Sequence, residues 1–243
     1  MTKTFKPSLV GTVLCVSLLL NLLCVFFVGR RLLLKSATTT YVPPPERPYY
    51  LDRNKLFEAM PADSNAVVFL GNSLTQYFEL AEFFPGVHVK NRGIHGDMME
   101  KVLLRLSPII ASQPKKIFIE LGINDIEQKV PKERLLDMYD RLLDTLKNTC
   151  PSTKLYVQSI LPVADTSLYL PTSYCSPQMN KDIVFMNRQL RWLAQRKACR
   201  FIDLHDKFSL HNELNPAYSV DGVHLSGEAY VLWAKILRPY VEE

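Results

Sequence analysis

No acidic residue occurs among the first 35 positions of this 243-residue chain, and no charge of either sign between Leu9 and Val28. Twenty uncharged, largely apolar residues make about 30 Å of helix, which matches the hydrocarbon core of a bilayer. Lys3 and Lys6 precede the run; Arg30, Arg31 and Lys35 follow it. A small-x-small cleavage pattern is missing as well. The run ends Phe26-Phe27-Val28-Gly29-Arg30-Arg31, and Cys24 follows Leu22-Leu23, where a lipoprotein signal carries small residues. The segment is therefore expected to be an uncleaved transmembrane anchor rather than a signal peptide. Basic residues on both flanks leave its orientation undetermined.

Beyond the anchor there is no basic excess. Of 29 Lys and Arg, five stand in residues 1–35, so the rest of the chain sets 24 basic against 24 acidic residues. The pI near 8.9 belongs to the anchor, and a nucleic-acid-binding face is excluded. There is no C-x-x-C and no metal-ligand spacing. Cys15 and Cys24 lie in the anchor. Cys150, Cys175 and Cys199 are an odd set, compatible with one disulfide and a free thiol or with three buried thiols. His205 and His211 fit no metal motif. No internal repeat is present.

What remains reads as one anchored domain. Residues 1–35 form the anchor, with a span of about 9–28. Residues 36–48, with three consecutive threonines and Pro43-Pro44-Pro45, form a stiff linker. Residues 49–243 form a single domain. Inside it short apolar runs alternate with helical patterns. Strands are expected at Ala66–Leu70, Val87–Asn91, Lys116–Leu121, Leu155–Ile160 and Arg200–Asp203. Helices are expected at Met98–Ile110, Pro131–Leu146, Gln178–Arg196 and Gly227–Leu237, with Pro131 in a first turn. Such alternation implies a five-stranded parallel sheet with right-handed crossovers, a three-layer α/β/α sandwich. Every strand then points its carboxyl end at one rim, where such sheets place their ligands.

The residues that follow the strands are therefore read together. After the first strand comes Gly71-Asn72-Ser73, with Gly71 allowing a sharp turn and Ser73 opening a helix. After the second comes Asn91-Arg92-Gly93-Ile94-His95-Gly96-Asp97, and after the third Gly122-Ile123-Asn124-Asp125. Near the C-terminus stands Asp221-Gly222-Val223-His224. Singly, each has a plain structural reading: a helix cap, turn glycines, a helix entry, a loop histidine. The G-x-S-x-G elbow of the α/β-hydrolases is not matched, because position 75 is threonine.

Together the four blocks resemble those of the SGNH hydrolases, also called the GDSL esterase family, across essentially the whole domain. The resemblance implies a flavodoxin-like α/β fold and an ester-bond hydrolase with Ser73 as nucleophile, His224 as general base and Asp221 as its orienting acid. It implies an oxyanion hole made of the Ser73 N–H, the Gly96 N–H and the Asn124 amide. Gly96 is chosen over Gly93 because it precedes Asp97 in the family's Gly-Asp pattern. No metal or organic cofactor is implied. Expected substrates are small-molecule, carbohydrate or lipid esters, with short acyl groups favoured because no second long apolar segment suggests a lid. Acyl transfer through the same site, or an inactive binding domain, are the alternatives. The domain is expected on the periplasmic or extracellular side of the membrane, as in many relatives. His95, beside Gly96, is a candidate substrate contact, and the long segment Leu161–Pro177 a loop bordering the site. Asp165 and Glu120 fit a carboxylate pair for sugar cleavage in type only. One departure stands out: the family's first block is usually Gly-Asp-Ser, whereas Asn72 replaces the aspartate here. Asn72 keeps a carbonyl acceptor, drops the charge and adds N–H donors.

Overall fold

A computed structural model describes residues 48–243; the expected anchor and nearly all of the linker lie outside the described residues. Among the described residues no helix is long and apolar enough to cross a membrane. Five strands, β1 (Val67–Gly71), β2 (Val89–Gly93), β3 (Lys116–Glu120), β4 (Lys154–Gln158) and β5 (Arg200–Ile202), form one parallel sheet. Its order is β2-β1-β3-β4-β5. The helices are α1 (Pro48–Ala59), α2 (Ser73–Gln76), α3 (Leu80–Phe83), α4 (Met99–Leu104), α5 (Ser107–Ser112), α6 (Ile123–Glu127), α7 (Lys132–Thr149), α8 (Pro177–Arg196), α9 (His205–Phe208) and α10 (Gly227–Glu242). A two-stranded antiparallel hairpin, β6 (Ser209–Leu210) and β7 (Glu213–Leu214), follows α9.

The central strands are buried on both faces, which is why they read as unbroken apolar runs. On one face Phe69, Phe118 and Tyr156 stack across β1, β3 and β4, with ring centroids 4.8 and 4.4 Å apart. Trp233, Ala234 and Leu237 of α10 pack in the same cluster. The alternate residues, Val68, Leu70, Ile117, Ile119 and Val157, are equally buried from the other side.

Several boundaries differ from the sequence expectation. The helix expected over Met98–Ile110 is two helices, α4 and α5, broken at Arg105–Leu106. Pro108 in the first turn of α5 has no N–H to continue the earlier ladder. Strand β2 lies two residues later than expected, a shift that leaves each side chain on its original face. Pro131 caps α7 from outside rather than entering its first turn. Helix α10 runs past Leu237, through Pro239, to Glu242. The Lys116 ammonium donates to the Tyr240 and Val241 carbonyls at 2.8 and 3.0 Å, satisfying acceptors at the helix end. Cys150, Cys175 and Cys199 are free thiols, and only the first two are buried, so neither cysteine expectation holds in full.

Candidate active site

The turn after β1 is set by close packing. A Cβ on Gly71 would fall 2.0 Å from Thr75 Oγ1 and 2.8 Å from the Glu120 carbonyl, so no other residue fits without movement. Gly93 has the same role from the neighbouring strand: its Cβ would lie 2.3 Å from Gln76 N. Helix α2 thus sits directly on the ends of β1 and β2. Asn72 caps it, with Oδ1 accepting the Leu74 N–H at 2.9 Å. Ser73 is the first helical residue.

The loop before α10 brings its two residues to this turn. Asp221 Oδ1 accepts the backbone N–H groups of Val223 (2.9 Å) and His224 (2.7 Å), a local turn that fixes the carboxylate. Its Oδ2 lies 2.6 Å from His224 Nδ1, and His224 Nε2 lies 3.1 Å from Ser73 Oγ. A carboxylate only accepts hydrogen bonds, so Nδ1 carries the ring proton and Nε2 is left to accept from the serine hydroxyl. Burial pushes the Asp221 pKa up, but hydrogen bonds from the His224 ring and from the His224 and Val223 backbone outweigh it and hold the carboxyl below its ordinary value. The spacing expected to put acid and base on one tight loop does so.

Of the expected anion-binding groups, Asn124, in the first turn of α6, donates from Nδ2 to the Asp97 carbonyl at 2.8 Å, which ties it to the loop carrying Gly96. Its Oδ1 accepts the Tyr174 hydroxyl at 3.2 Å, so the amide is oriented at both ends. Gly96 has φ +73°. Neither the Ser73 nor the Gly96 N–H donates to a backbone acceptor among the described residues. Replacing Asn124 by Ala is expected to lower kcat on an activated ester roughly a hundred- to a thousandfold with little change in KM, as for loss of one donor to a developing oxyanion. Steady-state kinetics checks this.

Behind these groups lies a buried framework. The Arg105 guanidinium pairs with Asp97 Oδ2 at 2.6 Å and donates to the Arg92 carbonyl at 2.8 Å; both charged side chains are almost fully buried. Asp125 accepts the Met99 N–H, and burial pushes its pKa up to about 7. The segment Leu161–Pro177 borders the site as expected. Ala164 N–H donates to the Gly222 carbonyl at 2.8 Å, the Ser167 hydroxyl donates to the Asp221 carbonyl, and Tyr174 reaches Asn124. His95 is also at the rim. Its ring stacks on His224 with centroids 5.9 Å apart, and its Nδ1 lies 3.0 Å from the Tyr77 hydroxyl.

Tyr77, whose ring lies 5.7 Å from that of His224, has no part in the sequence reading. Its position four residues after Ser73, on the same helical face, was the available signal. Arg105 was equally unmarked. Glu120 and Asp165 do not form a pair: Glu120 is fully buried at the end of β3, and Asp165 accepts from Asn180 at 2.9 Å. His205 lies 3.4 Å from Ser209 and beside Asp206. No cluster of three or more His, Cys, Asp or Glu among the described residues is placed to hold a metal ion.

A parallel α/β sheet whose rim carries a hydroxyl, an imidazole and a carboxylate in series defines the class of site: one suited to acyl chemistry. Sequence comparison extends this. The profile of the GDSL-like Lipase/Acylhydrolase family matches residues 65–232, and the chain belongs to that family. It is a hydrolase of ester bonds. A search of curated proteins finds no match. Similar solved structures include a Streptococcus pneumonia protein named for platelet activating factor, with 27% identity, TM-score 0.68, and 79% of this chain and 90% of that one covered. A GDSL-like lipase from Bacteroides thetaiotaomicron shares 24% identity and TM-score 0.69, covering 79% and 97%. An acetyl xylan esterase shares 20% identity and TM-score 0.62, covering 72% and 99%.

Proposed function

We propose that the chain is a serine esterase that works through an acyl-serine intermediate and prefers short acyl esters of hydroxyl-rich alcohols such as carbohydrates. The observation that carries the reading is the unbroken series from Asp221 through His224 to Ser73 Oγ, at 2.6 and 3.1 Å. His224 Nε2 takes the Ser73 proton as Oγ attacks the ester carbonyl. The carbonyl oxygen gains charge and is met by the Ser73 N–H, the Gly96 N–H and Asn124 Nδ2. His224 then returns the proton to the leaving alcohol. Water repeats the sequence on the acyl-serine and frees the acid. Asp221 keeps the ring in the productive tautomer and stabilises the imidazolium.

The preference for a hydroxyl-rich alcohol is supported by the polar side chains near the serine, the Tyr77–His95 and Tyr174–Asn124 pairs. It agrees with the fold shared with acetyl xylan esterases. One feature favours longer chains. Leu168, Tyr169 and Val220 are largely exposed and line a cavity of about 360 Å³ that also includes Asp221. Turnover of p-nitrophenyl esters from acetyl to palmitoyl separates the two readings. Highest kcat/KM at acetyl or propionyl is expected, and an optimum at eight carbons or more contradicts the short-acyl reading in favour of a lysophospholipase-type enzyme.

The run Leu9–Val28 supports anchoring of this domain at a membrane, on the non-cytoplasmic side. Digestion of the domain by protease added to intact cells is the expected result, and protection until the membrane is opened contradicts it.

A further inference from the structure

Glu120 is a glutamate with no exposed surface, and the mechanism above does not use it. It ends β3 directly beside the nucleophile turn, since Gly71, two residues before Ser73, is its partner in the parallel register. Its side chain faces Asn72, and that contact lowers its pKa in partial opposition to burial, which pushes it up to about 8. Asn72 Nδ2 and both Glu120 oxygens are buried and make no hydrogen bond among the described residues. A buried amide donor and a buried carboxyl, both unsatisfied, therefore face one another. Asn72 Oδ1 is already committed to the Leu74 N–H, which leaves the Nδ2 end of the amide for the carboxyl.

We propose that Glu120 is a positioning residue for Ser73: its carboxyl fixes the Asn72 amide, and the amide fixes the turn that carries the nucleophile and its backbone N–H. The inference rests on the esterase reading for its kinetic arm. It also explains the departure from Gly-Asp-Ser. An aspartate at position 72 would set two carboxyl groups together in a site without solvent, where both cannot ionise. Asn72 instead sets a neutral amide beside the buried Glu120 carboxyl.

Other groups face Glu120 from the packed helices. Tyr139 of α7 and Tyr230 of α10 both feel its charge, and burial raises both phenols above their ordinary value, so neither titrates between pH 6 and 9. Tyr230 also donates to the Leu74 carbonyl at 2.9 Å, so the same turn is held from a second side. No basic side chain contributes to the Glu120 shift. Asp125, which also acts on Tyr139 and which burial pushes up to about 7, titrates in the same window, so an alkaline fall is assigned to Glu120 only if Glu120→Gln removes it.

The test is an exchange carried out in the full chain. Asn72→Asp, Glu120→Gln and the double variant are compared with the unmodified protein by thermal midpoint and by kcat and KM on p-nitrophenyl acetate from pH 6 to 9. Asn72→Asp is expected to lower kcat at least tenfold, with KM little changed and a loss that grows with pH. The double variant returns carboxyl and amide in exchanged places and is expected to recover to within about threefold. Glu120→Gln is expected to remove an alkaline fall in kcat near pH 8. If Asn72→Asp does not fold, recovery of a normal midpoint by the double variant supports the proposal in the same way. A double variant no better than Asn72→Asp, or an Asn72→Asp protein as active as the original throughout, overturns it. If the unmodified protein turns over no ester, the esterase reading fails. The pairing is then judged on midpoints: restoration by exchange supports it, and additive losses overturn it.

Discussion

Ser73→Ala is expected to lower kcat/KM for an activated ester by roughly 10⁴- to 10⁶-fold, to the level set by binding and the oxyanion donors alone. The size of the effect follows from the single role of the Oγ atom. Among the described residues the side-chain partner of that oxygen is His224 Nε2, so its removal takes away the nucleophile and leaves the surrounding packing intact. The thermal midpoint is accordingly expected to stay within a few degrees of the original. His224→Ala is expected to fall near the same floor, and combining the two adds little further loss, because the residues act as one unit. Parallel kinetics and thermal denaturation of the three variants check this. Independent, multiplying losses contradict a shared step.

Asp221→Asn is expected to cost roughly 10³- to 10⁴-fold in kcat, about 4–5 kcal/mol of transition-state stabilisation. The substituted Oδ1 can still accept from the Val223 and His224 backbone, which preserves the loop. The change is confined to the second oxygen. An amide N–H facing His224 Nδ1 reverses the hydrogen bond and favours the tautomer with its proton on Nε2. That nitrogen then cannot accept from Ser73. The Asp221 side chain is 21% exposed, so water screens part of the interaction and the lower end of the range is favoured. The measurement is kcat at saturating substrate, with KM expected to change little. A loss below tenfold contradicts the assigned role.

The parts of the fold that were legible in the sequence were those fixed by burial on both faces. Strands β1 and β3 are short apolar runs because they are buried on both faces. The residues at their carboxyl ends, Ser73 and Asn124, could be read for the same reason. Asp221 and His224 were legible because three residues in one loop bring acid and base together without help from distant structure. The break between α4 and α5 was written in Ser107-Pro108, but the helical spacing of Met, Val, Leu and Ile on either side masked it. The hairpin of β6 and β7 left no trace, since two-residue strands cannot show an alternation. The place of Glu120 was the hardest to read. Burial of a carboxyl is a tertiary event, and the sequence marked Glu120 only as a carboxylate by type, inside an expected strand. Its significance depends on Asn72, 48 positions earlier, which only the β1–β3 register brings alongside.

The central claim is that Ser73 is an activated nucleophile. Treating the full chain with a fluorophosphonate and mapping the adduct by peptide mass tests it most directly. One adduct, on Ser73, is predicted, formed slowly when His224 is replaced by Ala and absent in Ser73→Ala. A folded protein that forms no adduct, or one whose labelling is unchanged by Ser73→Ala, would contradict the account.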